Sequence, residues 1–348
     1  VTFPLAQLFG PILAAAVIPP YNPITDIPNL IFLNSYKTIA PTGAVNANNA
    51  THPAFPGRRI SGTAPAMSCN ISSAGLTSAY AGGSAAFAGY TSPGNNGAFS
   101  LTNADAASIS FNNPAGTLEP VAAVPTVATA TVSVLGMASA YTDLVAGHAF
   151  SQATAGNRFA VNDTLVPGQR ILGVEAAFTR WLECISAPLA SQLDGTVALT
   201  GFMYFRPTAV NISGAGSNWM QFRDATNTNR IQFSYGAVTN GFISVATPAG
   251  THSLTGVLSP AMQLNVWQLL AVTLVGTTAR WYINGVQVAT VTTGTARTRA
   301  GLDRTYVGGV TGTSGGTSGH YAVAGAVARE MTAAELLTLT AWCAAEYA

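Results

Sequence analysis

The sequence predicts an all-β fold of antiparallel strands, and three observations carry that prediction. Between Val266 and Val288 apolar residues fall at every second position, first up to Gly276 and again from Ala279 to Ile283. Such alternation gives each segment one face for a core and one for a second layer or solvent. Asn284-Gly285 follows, a pair whose tolerance of positive φ suits both central positions of a type I′ hairpin turn. With Gly276-Thr277-Thr278 as a shorter loop, the stretch becomes a three-stranded meander carrying Trp267 and Trp281. Turn formers also punctuate the N-terminal half at short intervals: Pro53, Pro56-Gly57, Gly82-Gly83, Pro93 to Gly97 and Asn112-Asn113-Pro114. That spacing suits short strands rather than βαβ repeats.

The remaining elements follow in chain order. Residues 1–29 read as an extended N-terminal arm, apolar through Leu5, Leu8, Phe9, Ile12, Leu13 and Ile18. Pro19, Pro20, Pro23 and Pro28 forbid a continuous helix there. The apolar run is too short, and too interrupted by Gly10 and Pro11, to span a bilayer. No basic residue precedes Lys37, so a secretory signal is not supported. The arm is expected to dock on a neighbouring subunit. Residues 30–165 form a β-rich region, with Ser108–Phe111 and Thr126–Leu135 as strand candidates. They make either a small separate sandwich or strands that complete the C-terminal one, and the joint is placed between Ala146 and Pro167. Residues 166–348 form the main antiparallel sandwich. A short helix closes the chain: Thr332 and Glu335 have capping-box spacing, and Met331 and Leu336 occupy the staple positions. Leu336, Leu339, Cys343 and Tyr347 then recur at helical spacing, one apolar face to lie on the sandwich.

The meander resembles the concanavalin A-like or laminin G-like domains, in which a Trp-led strand is followed by one ending in aromatic-x-Asn-Gly. Three more stretches extend the resemblance in the family's order. They are Ala198 to Pro207 as an early inner strand, Arg304 to Gly309 as an aromatic-x-Gly-Gly strand, and Val323 to Leu337 as the closing strand and terminal helix. The resemblance covers about residues 170–348 and implies a jelly roll. It also implies that glycans or calcium, where bound, sit in loops at one rim of the sandwich. Because the family is functionally broad, it does not by itself fix an activity.

Composition narrows the setting. Charged residues are 8% of the 348, against roughly 25% in typical soluble proteins. With a net charge of +1, nothing draws in nucleic acid or an anionic membrane. A surface so poor in charge resists association badly, which points to an assembly or an extracellular setting. Cys69, Cys184 and Cys343 are odd in number and far apart, so they are expected as small buried hydrophobes, with one disulfide plus a free thiol as the alternative. This usage fits folding in a reducing cytosol.

Searching for chemistry yields little. Relatives of this fold that cleave sugars resemble one another in a Glu-x-Asp-x-Glu strand, and retaining hydrolysis needs two carboxylates about 5 Å apart. None of the 13 acidic residues lies within four positions of another. His52, His148, His252 and His320 are isolated, and there is no Gly-x-Ser-x-Gly elbow. The Gly312–Gly319 stretch lacks the Lys of a phosphate loop and reads as a strand connection. Catalytic residues, metal ligands and cofactors are therefore expected to be none. Binding candidates are Arg223, Asp224, Asn227 and Asn229, the loop richest in oxygen ligands, and Trp219, whose ring could stack on a sugar. Against these stand plainer readings, a structural turn for the loop and a core position for Trp219. A single Asp is few carboxylates for calcium.

The combined expectation is a non-enzymatic structural protein of a virus particle: a bacteriophage capsid decoration, fibre or tail component anchored by its arm. Expected partners are its own copies, as a homotrimer, together with other virion or shell subunits and host surface glycans. Nucleic acid and a membrane span are not among them. Its location would be the virion, after folding in the host cytoplasm. The alternative is a secreted or surface carbohydrate-binding or adhesion module.

Overall fold

Strand-forming stretches are longest in the second half of the chain, and there the sequence alternation becomes two facing layers. The computed structural model describes residues 21–42, 45–48, 60–70, 76–90, 92–105, 107–118, 131–166, 168–174, 180–193, 198–209, 217–237, 239–247, 250–292, 301–308 and 318–347. The arm positions Leu5, Leu8, Phe9, Ile12, Leu13 and Ile18 lie outside the described residues. After a one-turn helix α1 (Pro23–Asp26), entered through Asn22 as its cap with proline at the first position, come β1 (Leu30–Ser35) and β2 (Pro41–Thr42). Seven strands follow: β3 (Val45–Asn48), β4 (Ile60–Thr63), β5 (Ala66–Asn70), β6 (Ser84–Ala88), β7 (Gly97–Ala104), β8 (Ser108–Asn112) and β9 (Thr131–Val134). Then come β10 (Met137–Ala138), β11 (Ala140–Thr142), β12 (Ala149–Ser151), β13 (Phe159–Asn162), β14 (Ile171–Val174) and β15 (Trp181–Ile185), with helix α2 (Ala187–Leu193). The last run holds β16 (Ala198–Ala209), β17 (Ser217–Arg223), β18 (Arg230–Ala237), β19 (Asn240–Thr247), β20 (Gly250–Val257), β21 (Gln268–Val275), β22 (Thr278–Ile283), β23 (Val286–Thr292), β24 (Arg304–Gly308), β25 (Ser318–Val327) and helix α3 (Ala333–Glu346).

Among the described residues these strands make three sheets. The first runs β2-β10-β13-β14-β25-β16-β21-β22-β23, with β1 also paired to β25. The second runs β11-β12-β15-β24-β17-β18-β19-β20, and the third β3-β9-β6-β7-β8-β5-β4. The first two face each other as the sandwich. Between them lie Phe159, Leu182, Met203, Phe205, Phe222, Phe233, Leu270 and Trp281. The sandwich therefore takes strands from residues 30–42 and 137–162 as well as from the C-terminal half. The joint expected near residue 166 falls between β13 and β14, which pair directly through Val161↔Leu172. Strands β3 to β9 form the third sheet around its own core of Ile60, Met67, Cys69, Phe87, Leu101 and Phe111.

The hairpin read from the sequence is present. β21 and β22 pair in antiparallel register from Leu270↔Ile283 to Val275↔Thr278, so the loop is two residues, Gly276-Thr277, with Thr278 already in the strand. Asn284 and Gly285 have φ of 52° and 79°, as a type I′ turn requires. Trp281 is buried between the sheets. Trp267 is half-buried on the opposite face, stacked on Tyr204 at 5.3 Å. Cys69, Cys184 and Cys343 are buried outside any disulfide, one in each core.

Helix α3 covers the outer face of the first sheet. Leu336, Leu339, Cys343 and Tyr347 pack there with Phe202, Tyr204, Leu269 and Val323. Its start is built as the sequence implies: Thr332 Oγ1 accepts the Glu335 N–H at 3.2 Å, and Glu335 Oε2 accepts the Thr332 N–H at 2.8 Å. Arg329 forks onto the same carboxylate at 3.0 and 2.6 Å. The Arg329 pair, helped by the Thr332 hydrogen bonds, holds the Glu335 carboxyl down from its ordinary 4.5 to about 2. A carboxyl depressed in the folded state contributes stability above its unfolded value and loses it as pH falls through the folded one. Glu335→Gln is thus expected to flatten the stability curve between pH 4.5 and about 2 while changing it little in slope near neutrality. Thr332→Ala is expected to cost about 1 kcal/mol. Urea unfolding across pH checks both.

Candidate functional site

Alternation in the second sheet sorts its residues onto two faces. Leu182, Cys184, Met220, Phe222, Ile231, Phe233 and Val307 point into the core, so their neighbours along each strand point away. Cross-strand register then lines those neighbours up in three rows. One row is Ile185, Arg304, Arg223 and Arg230; the next is Glu183, Tyr306, Gln221, Gln232 and Ser244. A third carries Trp181 and Gly308 at one side and Asn218 and Ser234 at the other. The outer face of this sheet is thus a polar platform with Trp181 and Tyr306 set into it.

Its side chains hold one another. The Tyr306 phenol donates to Glu183 Oε1 and accepts from Arg223 Nη2, and the Arg223 guanidinium lies 4.4 Å from the Tyr306 ring centroid. Burial, and next the bond donated to Glu183, push the phenol's pKa up. Arg304 pairs with Asp303 at 2.8 Å and reaches Glu183 at 3.7 Å; hydrogen bonding to Asp303 raises its pKa further. Gln221 donates to Gln232 at 3.2 Å. Gln232 in turn donates to Asn218 and to Ser234. Gln221 is fully buried, and its Oε1 has no hydrogen-bond partner; nor do the Nε atoms of Arg223 and Arg230. Planar groups fixed on strands by their neighbours form a preorganised hydrogen-bonding surface.

Of the residues expected from sequence, Arg223 belongs to this platform. Trp219 does not: it is fully buried between the sheets, packed on Phe233 at 5.3 Å and Tyr235 at 6.1 Å. A bulge between Asn218 and Met220 turns it inward, so it offers no open ring face and its plainer core reading describes its place. Asp224 closes its own loop, accepting from Thr226 Oγ1 at 3.0 Å, Thr228 N–H at 2.9 Å and Asn229 N–H at 2.8 Å. Burial raises its carboxyl, but these bonds, from Asn229 first, outweigh it and leave the pKa lowered. Asn227 takes the left-handed conformation with φ 61°. Asp224, Asn227 and Asn229 thus build a turn at the edge of the platform. No group of three His, Cys, Asp or Glu among the described residues could hold a metal ion.

Sequence reasoning missed Trp181, Glu183, Gln221, Gln232, Arg230, Arg304 and Tyr306. A signal for three of them was present, since polar residues alternate with core residues in Gln221-Phe222-Arg223 and Arg230-Ile231-Gln232. The histidine at 148 also gains partners in the fold. It is buried, 3.1 Å from Ser186 Oγ and 3.2 Å from Gln192 Oε1. Because Ser186 Oγ also accepts the Leu189 N–H, the Ser–His contact secures the start of α2.

Residues 185–342 match the family model described as the concanavalin A-like lectin/glucanases superfamily. No curated protein matches the sequence. Solved structures resemble part of the chain. One is the CBM40 of the Ruminococcus gnavus IT-sialidase bound to α2,3-sialyllactose, at 13% identity and TM-score 0.38, covering 44% of this chain and 89% of that one. Another is the binding domain of botulinum neurotoxin serotype G, at 14% identity and TM-score 0.43, covering 57% and 47%. A third is a mutant NanB sialidase from Streptococcus pneumoniae, at 16% identity and TM-score 0.39, covering 48% and 27%.

The Tyr306 contact can be tested in isolation. Tyr306→Phe and Glu183→Gln in a double-mutant cycle are expected to show a coupling of about 0.5–3 kcal/mol in unfolding. Strict additivity would mean that the phenol and carboxylate do not meet. Strand order and facing antiparallel sheets give the C-terminal half of this chain the fold of a concanavalin A-like β-sandwich.

Proposed function

We propose that the chain is a non-catalytic, lectin-like carbohydrate-binding or adhesion module, and that the outer face of its second sheet receives the glycan. The observation that carries this reading is the half-buried set of Glu183, Gln232, Arg223, Arg230 and Arg304, brought together on one face by register over the buried Tyr306 and Gln221. Amide and guanidinium groups can meet paired sugar hydroxyls, and strands hold them in place before a ligand arrives. Match to a superfamily whose description names lectins supports the same reading. Glucanases belong to that description too. Against hydrolysis, Glu183 and Asp303 both engage Arg304, and Glu183 also receives the Tyr306 phenol. A retaining pair needs one group free as nucleophile and one as acid.

Binding of purified protein to a glycan array, followed by titration of the best ligand, tests this. Arg223→Gln with Arg230→Gln is expected to weaken binding at least about tenfold, the scale of one or two lost charge-assisted hydrogen bonds, with no reducing ends released. Sugar release that Glu183→Gln abolishes, or unchanged binding by the double variant, would refute it.

A second reading adds a setting, a bacteriophage virion. The 8% of charged residues and three buried thiols outside any disulfide favour a cytosol-folded, assembled protein over an isolated secreted one. On this reading the chain decorates a capsid, fibre or tail as a homotrimer. Sedimentation of the full chain should then give three copies, and a stable monomer at high concentration would remove the reading.

A further inference from the structure

Three arginines stand side by side at one end of the outer face of the second sheet. Arg304↔Arg223 and Arg223↔Arg230 are direct cross-strand partners on β24, β17 and β18. Like charges placed directly opposite one another destabilise a sheet. With only 14 basic residues among 348, composition does not force three of them into one row. Local rules are broken chiefly where a protein functions, and an anion lying across this row would relieve it.

Relief from within the chain is uneven. Arg304 pairs with Asp303 at 2.8 Å and with Glu183 at 3.7 Å. Arg223 has a neutral partner instead, the Tyr306 phenol, whose ring also lies beneath its guanidinium. Asp224 keeps its carboxylate in its own loop, on Thr226, Thr228 and Asn229. The Arg230 side chain has no ion-pair or hydrogen-bond partner among the described residues, and its Nε is buried and unmet. Beyond it the row continues through Ala246 and Thr251, neither of them acidic. Two carboxylates thus serve the Arg304 end and a third is held in its turn. Arg230 stands two strand spacings away, about 10 Å from the Arg304 strand, and that end of the row stays positive.

Next to the arginines the surface changes character. Gln232, Ser244 and Ser253 form the adjoining row on β18, β19 and β20. All three are uncharged; Gln232 and Ser244 are half-buried and Ser253 is exposed. The two serine hydroxyls can each donate and accept. A fixed guanidinium beside such a tract matches a sugar with one anionic substituent among its hydroxyls.

We propose that the glycan received by this face is acidic. Its carboxylate or sulfate lies on Arg230 and Arg223, and its hydroxyls meet Ser244 and Ser253. The inference rests on the reading of the outer face as a glycan site and adds the class of ligand.

The full chain is first applied to an array of neutral, carboxylated (glucuronate- and galacturonate-containing) and sulfated oligosaccharides. Acidic members are expected to bind. Carboxylated ones alone identify a sugar acid as the source, and sulfated ones alone a sulfate ester. Calorimetry then compares the tightest acidic oligosaccharide with its neutral counterpart, prepared by carboxyl reduction or desulfation. The acidic form is expected to bind at least about tenfold more tightly, and Arg230→Gln to close that gap. Because the substitution removes a like-charge neighbour, the variant should melt no lower than the unsubstituted chain. Binding confined to neutral glycans, equal affinity for the paired forms, or an undiminished gap in Arg230→Gln would overturn the acidic class and leave the outer face a glycan site. A variant that melts lower would assign Arg230 to the fold and overturn it too. Failure to bind any glycan would overturn both readings together.

Discussion

Strand β25 is the constraint on which the rest of the molecule depends. All ten of its residues are buried. On one edge it pairs with β16 along its length; on the other it pairs with β14 through Gly319 to Tyr321 and with β1 through Val323 to Val327. A central strand covered on both faces has no solvent side for polar residues, so it reads as a run of apolar and small ones. Size matters as much as polarity. A Cβ at Gly325 would lie 2.3 Å from the Phe202 ring and 2.9 Å from the Phe32 carbonyl. That glycine lets strands from the two ends of the chain close on one another.

Where the binding surface can lie follows from how the layers are covered. The first sheet has the second sheet on one face, and on the other α3 packs over Phe202, Tyr204, Leu269 and Val323. The second sheet has a core on one face and no helix among the described residues on the other. Its outward positions are polar, and several are buried, as Gln221 and Asn218 are. A network of this kind is costly unless it is satisfied, and satisfied it is stiff. The orphaned Gln221 Oε1 and the Nε atoms of Arg223 and Arg230 mark where satisfaction ends.

Local features of this fold were legible in sequence. The Asn284-Gly285 turn, the alternating strands around it and the Thr332–Glu335 cap each depend on residues a few positions apart. The loop at Gly276 came out one residue shorter than read, because Thr278 already pairs with Val275. What was not legible depends on register between distant strands. Glu183, Gln221, Gln232 and Tyr306 become neighbours through three strand pairings, and nothing local announces them. Reading along the chain instead grouped Trp219 with the 223–229 loop. The bulge after Asn218 separates them, sending the ring to the core and leaving Arg223 on the surface. Pairing of β1 with β25 was likewise invisible, since each strand satisfies its own alternation without naming its partner.

The third sheet shows how a second unit can be attached without disturbing the first. Its chain leaves the sandwich after Thr42 and returns before Met137, and those two residues are cross-strand partners. Entry and exit are thus one strand spacing apart, the situation in which insertion perturbs a host least. A neck of that kind fixes position but leaves orientation open. Asn162 supplies it. Fully buried, its amide donates to the Gly82 and Gly83 carbonyls at 3.1 and 3.0 Å and to Ser100 Oγ at 3.0 Å. Its oxygen accepts from the Thr164 and Leu165 N–H groups, each at 3.0 Å. Apolar contact would tolerate sliding between the two units, whereas these directional bonds hold β7 at one angle to the sandwich. Ser100 and Thr164, whose hydroxyls lie 2.7 Å apart, are both direct partners of that amide, so the seam between the two units is closed by the same bonds that orient the insertion.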